Sequence, residues 1–277
     1  MCHISSSLRH EDTMPAVWSN HICRFLLALA LFGAVLLQHG TAAAQSRRGR
    51  DTIHDVVDCA PFLRAWKGAT ARGWLSTAVV DSAWYSEWMQ TLATANPQSA
   101  VPWARRAFWV QAWMSCMLVV AHRRMGYRTT RYDTTIVEQD TFVIAGETYC
   151  LRDVSLRVVQ EFGTASSIAL FGMGSTYGPP LAPYAPVAWT VERLMREQMR
   201  KVVRSERHVL WDPAADVLQV ATWMEPWTEA MRLEAGDVVA FLMPYMDDAM
   251  AAGVALRRRY VRVVFSDRLE RWKRRRQ

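Results

Sequence analysis

Residues 103–125, WARRAFWVQAWMSCMLVVAHRRM, form the most apolar segment of the chain. At helical spacing the segment carries one apolar stripe, which consists of Trp103, Ala107, Val110, Met114, Leu118, Ala121 and Met125. A second stripe lies on the opposite side and consists of Trp109, Trp113, Cys116 and Val120. Because a helix that is apolar on two faces must be covered on both, this pattern is typical of the central element of a helical layer.

A membrane helix is the alternative for this segment, because the pairs Arg105–Arg106 and Arg123–Arg124 bracket it. A spanning helix needs about 20 apolar residues, and fewer lie between the two arginine pairs. Gln111 and Ser115 interrupt them as well. The sequence therefore favours a helix that is buried in a protein core.

The segments before this helix also show a helical pattern. Pro61 suits the first turn of a helix that continues through Phe62 and Trp66. A further helix is predicted over residues 82–95, where Trp84, Trp88 and Leu92 recur every four residues. We therefore expect residues 45–127 to form a tryptophan-rich helical region.

After Gly126 the apolar period changes to two, which predicts strands. Residues 172–186 are rich in glycine and proline and are expected to form a loop, and residues 187–207 an amphipathic helix. The predicted fold class is α+β, with a helical N-terminal layer followed by a mainly antiparallel β region (residues 128–266) that contains this helix. The predicted strands are residues 134–139, 141–145, 148–152, 154–162, 166–171, 208–211, 217–223, 238–243 and 259–265.

The N-terminal residues are typical of a secretory signal peptide. Arg24 precedes thirteen residues of almost purely apolar character, Phe25–Leu37, and Ala42–Ala44 provides an Ala-x-Ala cleavage site. This pattern predicts that residues 1–44 direct export and that the mature protein begins near Gln45, with Met14 as a possible alternative start. An amphipathic anchor that is not cleaved is the other interpretation.

The composition predicts a fold that is held together by apolar burial. Hydrophobic residues make up 51% of the chain, which also has 13 tryptophans. Three cysteines, Cys59, Cys116 and Cys150, follow the predicted leader. In an oxidising compartment they allow one disulfide and one free thiol, and the sequence leaves the pairing open.

The net charge of +7 is concentrated at the C-terminus. Residues 257–277 contain ten basic and two acidic residues, so this part alone carries +8. The basic tail, residues 267–277, is either a solvated end or a surface for an anionic membrane or envelope polymer. A nucleic-acid partner is not expected for an exported protein. The residues that would bind the anionic surface are Arg268, Arg271, Lys273, Arg274, Arg275 and Arg276.

Cys59 is a candidate nucleophile because it stands at a helix start, where the helix dipole lowers a thiol pKa. The pair Asp58–Cys59 resembles the Asp-Cys pair at a helix start in cysteine peptidases that cleave peptidoglycan. Residues 234–239, Glu-Ala-Gly-Asp-Val-Val, resemble the Gly-Asp strand of these peptidases. The resemblance implies a hydrolase of envelope peptide. These peptidases have a histidine shortly after the Gly-Asp strand, but no histidine follows His208 here, so the base would have to be His122 or His208. The peptidases have serine and glycine after the cysteine, whereas Ala60 and Pro61 follow it here. A structural cysteine is the other interpretation.

Two groups of residues are candidate metal ligands. Thioether, thiolate and imidazole groups suit copper(I), and the central helix carries all three. The three aspartates Asp237, Asp247 and Asp248 suit a hard cation. Core packing of the soft ligands and a solvated turn at the aspartates are the alternatives. The candidate copper ligands are Met114, Cys116, Met117 and His122.

Trp223 and Trp227 are a candidate aromatic binding rim, because Glu225 and Glu229 lie beside them. Tryptophan faces next to carboxylates are typical of sugar-binding surfaces. An ordinary loop is the alternative.

We expect an exported cell-envelope or periplasmic protein that acts as a non-enzymatic binding or structural module and holds no cofactor. The two alternatives are a cysteine-dependent hydrolase that acts on envelope peptide and a soft-metal binding protein.

Overall fold

The computed structural model describes residues 55–71, 75–76, 82–123, 136–172, 178–267 and 269. Contacts divide the chain into residues 1–52 and 53–277, and every described residue belongs to the second unit. The predicted leader, residues 1–44, lies outside the described residues. The same holds for the tail residues Arg268, Arg271, Lys273, Arg274, Arg275 and Arg276.

Helices predominate in the described part of the chain. The α-helices are α1 (Ala60–Thr70), α2 (Ser82–Thr94), α3 (Pro102–Arg123), α4 (Ile136–Gln139), α5 (Leu151–Phe162), α6 (Val191–Val203), α7 (Thr228–Ala235), α8 (Val238–Leu242) and α9 (Asp248–Arg257). The strands are β1 (Thr141–Ile144), β2 (Glu147–Cys150), β3 (Val209–Asp212), β4 (Val217–Val220) and β5 (Arg262–Phe265). Short 3-10 turns lie at Pro97–Ser99, Ala165–Leu170, Thr222–Trp227 and Met243–Tyr245.

The central helix α3 is buried on all sides, which confirms the prediction made from its two apolar stripes. Every residue from Ala107 to Ala121 is buried. Two of its buried polar side chains, Gln111 and Ser115, are hydrogen-bonded to neighbouring elements. Gln111 Nε2 donates to the carbonyl of Pro186 at 2.7 Å, and Ser115 Oγ accepts from Trp88 Nε1 at 2.7 Å.

No helix in the described ranges combines the length and the apolar character that a membrane crossing requires.

The strands β1 and β2 form an antiparallel hairpin that is fastened to the end of α2. Its turn residues, Ala145 and Gly146, have φ angles of 53° and 81°. Two positive φ values in succession are what a tight two-residue hairpin turn requires. The backbone N–H groups of the turn donate to the carbonyls of Leu92 and Ala93, both at 2.8 Å. These bonds use orphan carbonyls at the C-terminus of α2 and fix the hairpin next to it.

The second sheet has the order β3-β4-β5. The strands predicted at residues 208–211 and 217–223 are present as β3 and β4, which pair antiparallel as a hairpin with Val209 opposite Val220. Residues 222 and 223 lie in a 3-10 turn instead. Strand β5 lies within the strand predicted at 259–265 but pairs parallel with β4, so that Leu218 lies opposite Val263. The sheet is therefore mixed.

The α+β class and the helical N-terminal layer are confirmed, and the amphipathic helix predicted at 187–207 is present as α6. Several elements predicted as strands are helical instead: residues 154–162 lie in α5, 166–171 lie mostly in a 3-10 turn, and 238–243 lie mostly in α8. The described part of 134–139 is α4, and residues 134 and 135 lie outside the described residues. The region after residue 128 thus holds more helix than predicted.

Capping explains why α5 is a helix despite its β-branched residues. The Asp153 carboxylate accepts from the backbone N–H of Cys150 at 2.9 Å and satisfies an orphan donor at the helix start. Val154, Val158 and Phe162, spaced by four, are all buried and form one helical face. Gly163 ends the helix in a left-handed conformation with φ 63°. End signals and the four-residue period outweigh the strand propensity of valine.

Candidate functional site

A polar cleft lies where the turn of the β1–β2 hairpin meets the 3-10 turn at Pro97–Ser99 and helix α5. We call it the hairpin cleft, and its volume is about 240 Å³. Its lining residues are Ala95, Asn96, Pro97, Gln98, Trp109, Ala145, Glu147, Tyr149 and Arg157.

Three elements place an aromatic and cationic stack on one wall of the hairpin cleft. Trp109 comes from α3, Tyr149 from β2 and Arg157 from α5. The rings of Trp109 and Tyr149 meet edge to face, with centroids 5.4 Å apart. The guanidinium carbon of Arg157 lies 5.3 Å from the centre of the Trp109 ring, a cation–π arrangement.

Two N–H groups on this wall are buried without a hydrogen-bond partner among the described residues, Trp109 Nε1 and Arg157 Nε. Other indole N–H groups of the core are paired: those of Trp66, Trp88 and Trp113 donate to oxygen at 2.7–3.0 Å. A buried donor without a partner costs about 1–3 kcal/mol. These two N–H groups are therefore the donors on this wall that an acceptor atom of a ligand could satisfy.

Arg157 controls access to these two N–H groups. Both nitrogens are covered, although the Arg157 side chain as a whole is 31% exposed. The contact between its guanidinium and Trp109 is worth about 0.5–1 kcal/mol at an exposed site. Movement of the guanidinium off the ring would cost this contact and disturb the ion pair with Glu161 at 3.0 Å. Hydrogen bonds from both N–H groups to one acceptor would offset that cost by about 1–3 kcal/mol for each donor.

Glu147 and Arg157 are the two charged residues in the lining of the hairpin cleft. Arg157 Nη2 lies 3.0 Å from Glu161 Oε1, and Arg105 Nε lies 3.1 Å from Glu161 Oε2. Glu161 therefore pairs with two arginines at once, and the three side chains together carry +1. Glu147, in contrast, is exposed and accepts a hydrogen bond from the Tyr149 hydroxyl at 2.5 Å. Burial, together with this hydrogen bond and the Glu147 charge, raises the pKa of Tyr149 to about 12.

The candidate nucleophile Cys59 is not activated. Its side chain is 6% exposed, and its Sγ donates to the carboxylate of Asp55 at 3.2 Å. Burial, followed by the negative charge of Asp55, raises the pKa of Cys59 to about 12. The thiol is thus protonated at neutral pH, whereas a cysteine nucleophile must be a thiolate.

The other cysteines do not pair with Cys59. Cys59, Cys116 and Cys150 are all free thiols, so the disulfide that the sequence allowed is not formed. Cys150 lies at the start of α5, far along the chain from Cys116 within α3.

The candidate base His208 and the candidate rim residue Trp223 pack against each other in the core. Their rings meet edge to face at 5.9 Å, and Trp223 Nε1 donates to His208 Nδ1 at 3.4 Å. Trp223 is 4% exposed, and Trp227 is partly buried against Phe171 at 5.8 Å. The prediction of an aromatic binding rim is therefore wrong for Trp223, because its ring is buried in the apolar core and cannot contact a ligand from solvent.

Burial lowers the pKa of His208 to about 4, with a smaller contribution from Arg207. His208 is therefore a neutral imidazole that binds a proton only weakly at neutral pH. The other candidate base, His122, is partly buried at the end of α3, and its Nδ1 has no hydrogen-bond partner among the described residues.

The candidate copper ligands on α3 do not converge. Met114 and Cys116 are two residues apart on a helix with 3.6 residues per turn, so their side chains point about 200° apart. Met114, Cys116 and Met117 are fully buried in the core. Within the described ranges, no group of three or more histidine, cysteine, aspartate and glutamate side chains could hold a metal ion.

The aspartates predicted as a hard-cation site stabilise helices instead. The carboxylate of Asp237 accepts from the backbone N–H of Ala240 at 2.9 Å and forms an ion pair with Arg258. Asp247 accepts from the backbone N–H of Met250 at 2.8 Å, at the start of α9. Both are N-cap residues, which explains their position after non-helical segments.

Sequence reasoning missed the hairpin cleft. Trp109 belongs to the second stripe of the central helix, but Arg157 and Tyr149 were assigned to neighbouring strands. A search for valines every fourth residue around Arg157 would have revealed α5 and placed the arginine beside α3. The comparisons with known proteins gave no match to a protein family, a curated protein or a solved structure.

Proposed function

We propose that this chain is an exported, non-enzymatic binding protein of the periplasm or cell envelope that takes a small molecule in the hairpin cleft. The observation that carries the binding role is the pair of unpartnered N–H groups of Trp109 and Arg157 on the wall of a polar cleft. Polar groups that converge in a concave site and lack partners are typical of ligand sites.

The proposal of export rests on the sequence. Arg24, the apolar run Phe25–Leu37 and the small residues Ala42–Ala44 support a cleaved leader. We further propose that the basic tail, residues 267–277, attracts the protein to a negatively charged surface. Acidic membrane lipids or an acidic envelope polymer would provide this charge.

The cysteine hydrolase is less well supported than binding. Its nucleophile would have to lose a proton that Asp55 and burial hold on Cys59 at neutral pH. Its base would have to be His208, which is engaged with Trp223, or His122 at the end of α3.

Native mass spectrometry of the protein purified from the cell envelope tests export and binding together. We expect the mass of a chain that starts at Gln45, accompanied by a second species heavier by one small molecule. Asn96→Trp should reduce the heavier species at least about tenfold, because Asn96 is exposed and lines the cleft, where an indole would occupy ligand space.

Gln90→Trp is the matched control, since Gln90 is exposed on α2 and does not line the hairpin cleft. It should keep the heavier species. A chain that retains Met1 would contradict export, and equal occupancy in both variants would contradict binding in the cleft.

A further inference from the structure

We propose that the hairpin cleft selects small compounds that carry both an amide carbonyl and an ammonium group, such as amino-acid amides and the N-termini of peptides, and discriminates against carboxylates. This inference rests on the proposed binding function and adds the chemical class of the ligand.

The need for an acceptor atom follows from the two unpartnered donors. Trp109 Nε1 can only donate, and so can Arg157 Nε. Their side chains stack at 5.3 Å, so one carbonyl oxygen with two lone pairs can accept from both once the guanidinium has rotated. The indole N–H groups of other core tryptophans already donate to an oxygen of the protein, as Trp113 Nε1 does to Ser155 Oγ.

The local charges explain why this acceptor should be neutral. Arg105 and Arg157 share Glu161, so these three side chains together carry +1, and Glu147 in the lining reduces the local sum to zero. A carboxylate would therefore gain no net Coulomb attraction to offset the loss of its hydration, whereas a neutral carbonyl loses its hydration at lower cost. Glu147 also repels an anion.

Glu147 also explains the ammonium group. Its Oε2 accepts from the Tyr149 hydroxyl, which holds the carboxylate at the edge of the hairpin cleft. The carboxylate keeps further acceptor sites, since an ionised carboxyl has about four. An ammonium group donates three hydrogen bonds and would be attracted to this charge, with the exposed amides of Asn96 and Gln98 lining the same cleft.

Four derivatives of alanine that differ in charge test the inference at neutral pH. Alaninamide is a cation, N-acetylalaninamide is neutral, alanine is a zwitterion and N-acetylalaninate is an anion. The indole N–H resonance of Trp109, assigned with Trp109→Phe, is followed during titration with each compound. We expect alaninamide to bind about five- to tenfold more tightly than N-acetylalaninate, and to shift the indole proton downfield as its hydrogen bond forms.

Glu147→Gln removes the charge but keeps an acceptor for Tyr149, so it should abolish the preference for alaninamide over N-acetylalaninamide. Glu87→Gln on the exposed side of α2 should leave the preference unchanged. Tighter binding of N-acetylalaninate at the Trp109 resonance would overturn the ligand class and leave the binding site intact. If none of the four compounds shifts this resonance, the ligand class is wrong, whereas binding in the cleft itself is decided by the comparison of Asn96→Trp with Gln90→Trp.

Discussion

Replacing Trp113 with alanine is expected to lower the free energy of unfolding by about 3–5 kcal/mol, the range measured for large aromatic residues in protein cores. Trp113 is 1% exposed, and its ring lies 5.2 Å from that of Phe171. Its Nε1 also donates to Ser155 Oγ at 3.0 Å, which connects α3 to α5. The substitution leaves a cavity and removes a buried hydrogen bond, so both terms act in the same direction.

Trp103→Ala is the matched control for Trp113→Ala. Trp103 stands in the first turn of the same helix but is 39% exposed, so its loss should cost clearly less than the loss of Trp113. Urea-induced unfolding of both variants measures the difference. Equal destabilisation would mean that α3 is not buried around Trp113, which would contradict the central position of this helix.

Acidification is expected to destabilise the protein through His208. Burial holds the pKa of His208 near 4 in the folded protein, whereas an unfolded chain has the ordinary value of about 6.5. Between these two values the unfolded chain binds more protons than the folded one. The stabilisation is therefore complete above pH 6.5, is lost as the pH falls towards 4, and amounts to about 3 kcal/mol over that interval.

His208→Phe separates this effect from the protonation of carboxylates. Phenylalanine fills the same buried place next to Trp223 but cannot take up a proton. Urea-induced unfolding gives the free energy of unfolding of both proteins at pH 7 and at pH 4.5. Between these pH values the decrease should be about 2 kcal/mol smaller for the variant than for the wild type. Identical falls for both proteins would show that the pKa of His208 is not depressed.

The parts of the fold that could be predicted from the sequence are those with a long, unambiguous period. The two stripes of α3 and the amphipathic pattern of α6 have such a period, and both helices are present. The hairpin of β3 and β4 has an alternating pattern with a turn at Asp212–Pro213, and it is present too. Long repeated patterns outweigh local propensity, because they determine which face is buried.

Helix α5 shows why other elements could not be predicted. Its sequence, LRDVSLRVVQEF, is rich in valine and follows a true strand, so a continued strand was the simplest interpretation. The decisive interactions are the cap from Asp153 and the packing of Val154 and Val158 on α3. Such packing depends on residues far away in the chain, and this tertiary contribution overrides the propensity of single residues.

The hairpin cleft could be predicted from the sequence even less well than helix α5. Residues that are reactive by type were the natural candidates, yet Cys59 and Trp223 are both buried and engaged in the core. The features that define the hairpin cleft are an indole and a guanidinium N–H without partners. Whether a donor has a partner is a property of three-dimensional packing, and no spacing along the chain reveals it.

A crystal structure of the protein with alaninamide tests the binding role of the hairpin cleft most directly. We predict the compound in the cleft, with its carbonyl oxygen about 3 Å from Trp109 Nε1 and with the Arg157 guanidinium rotated away from the Trp109 ring. A structure in which alaninamide lies elsewhere, while Trp109 Nε1 keeps no partner, would contradict the account.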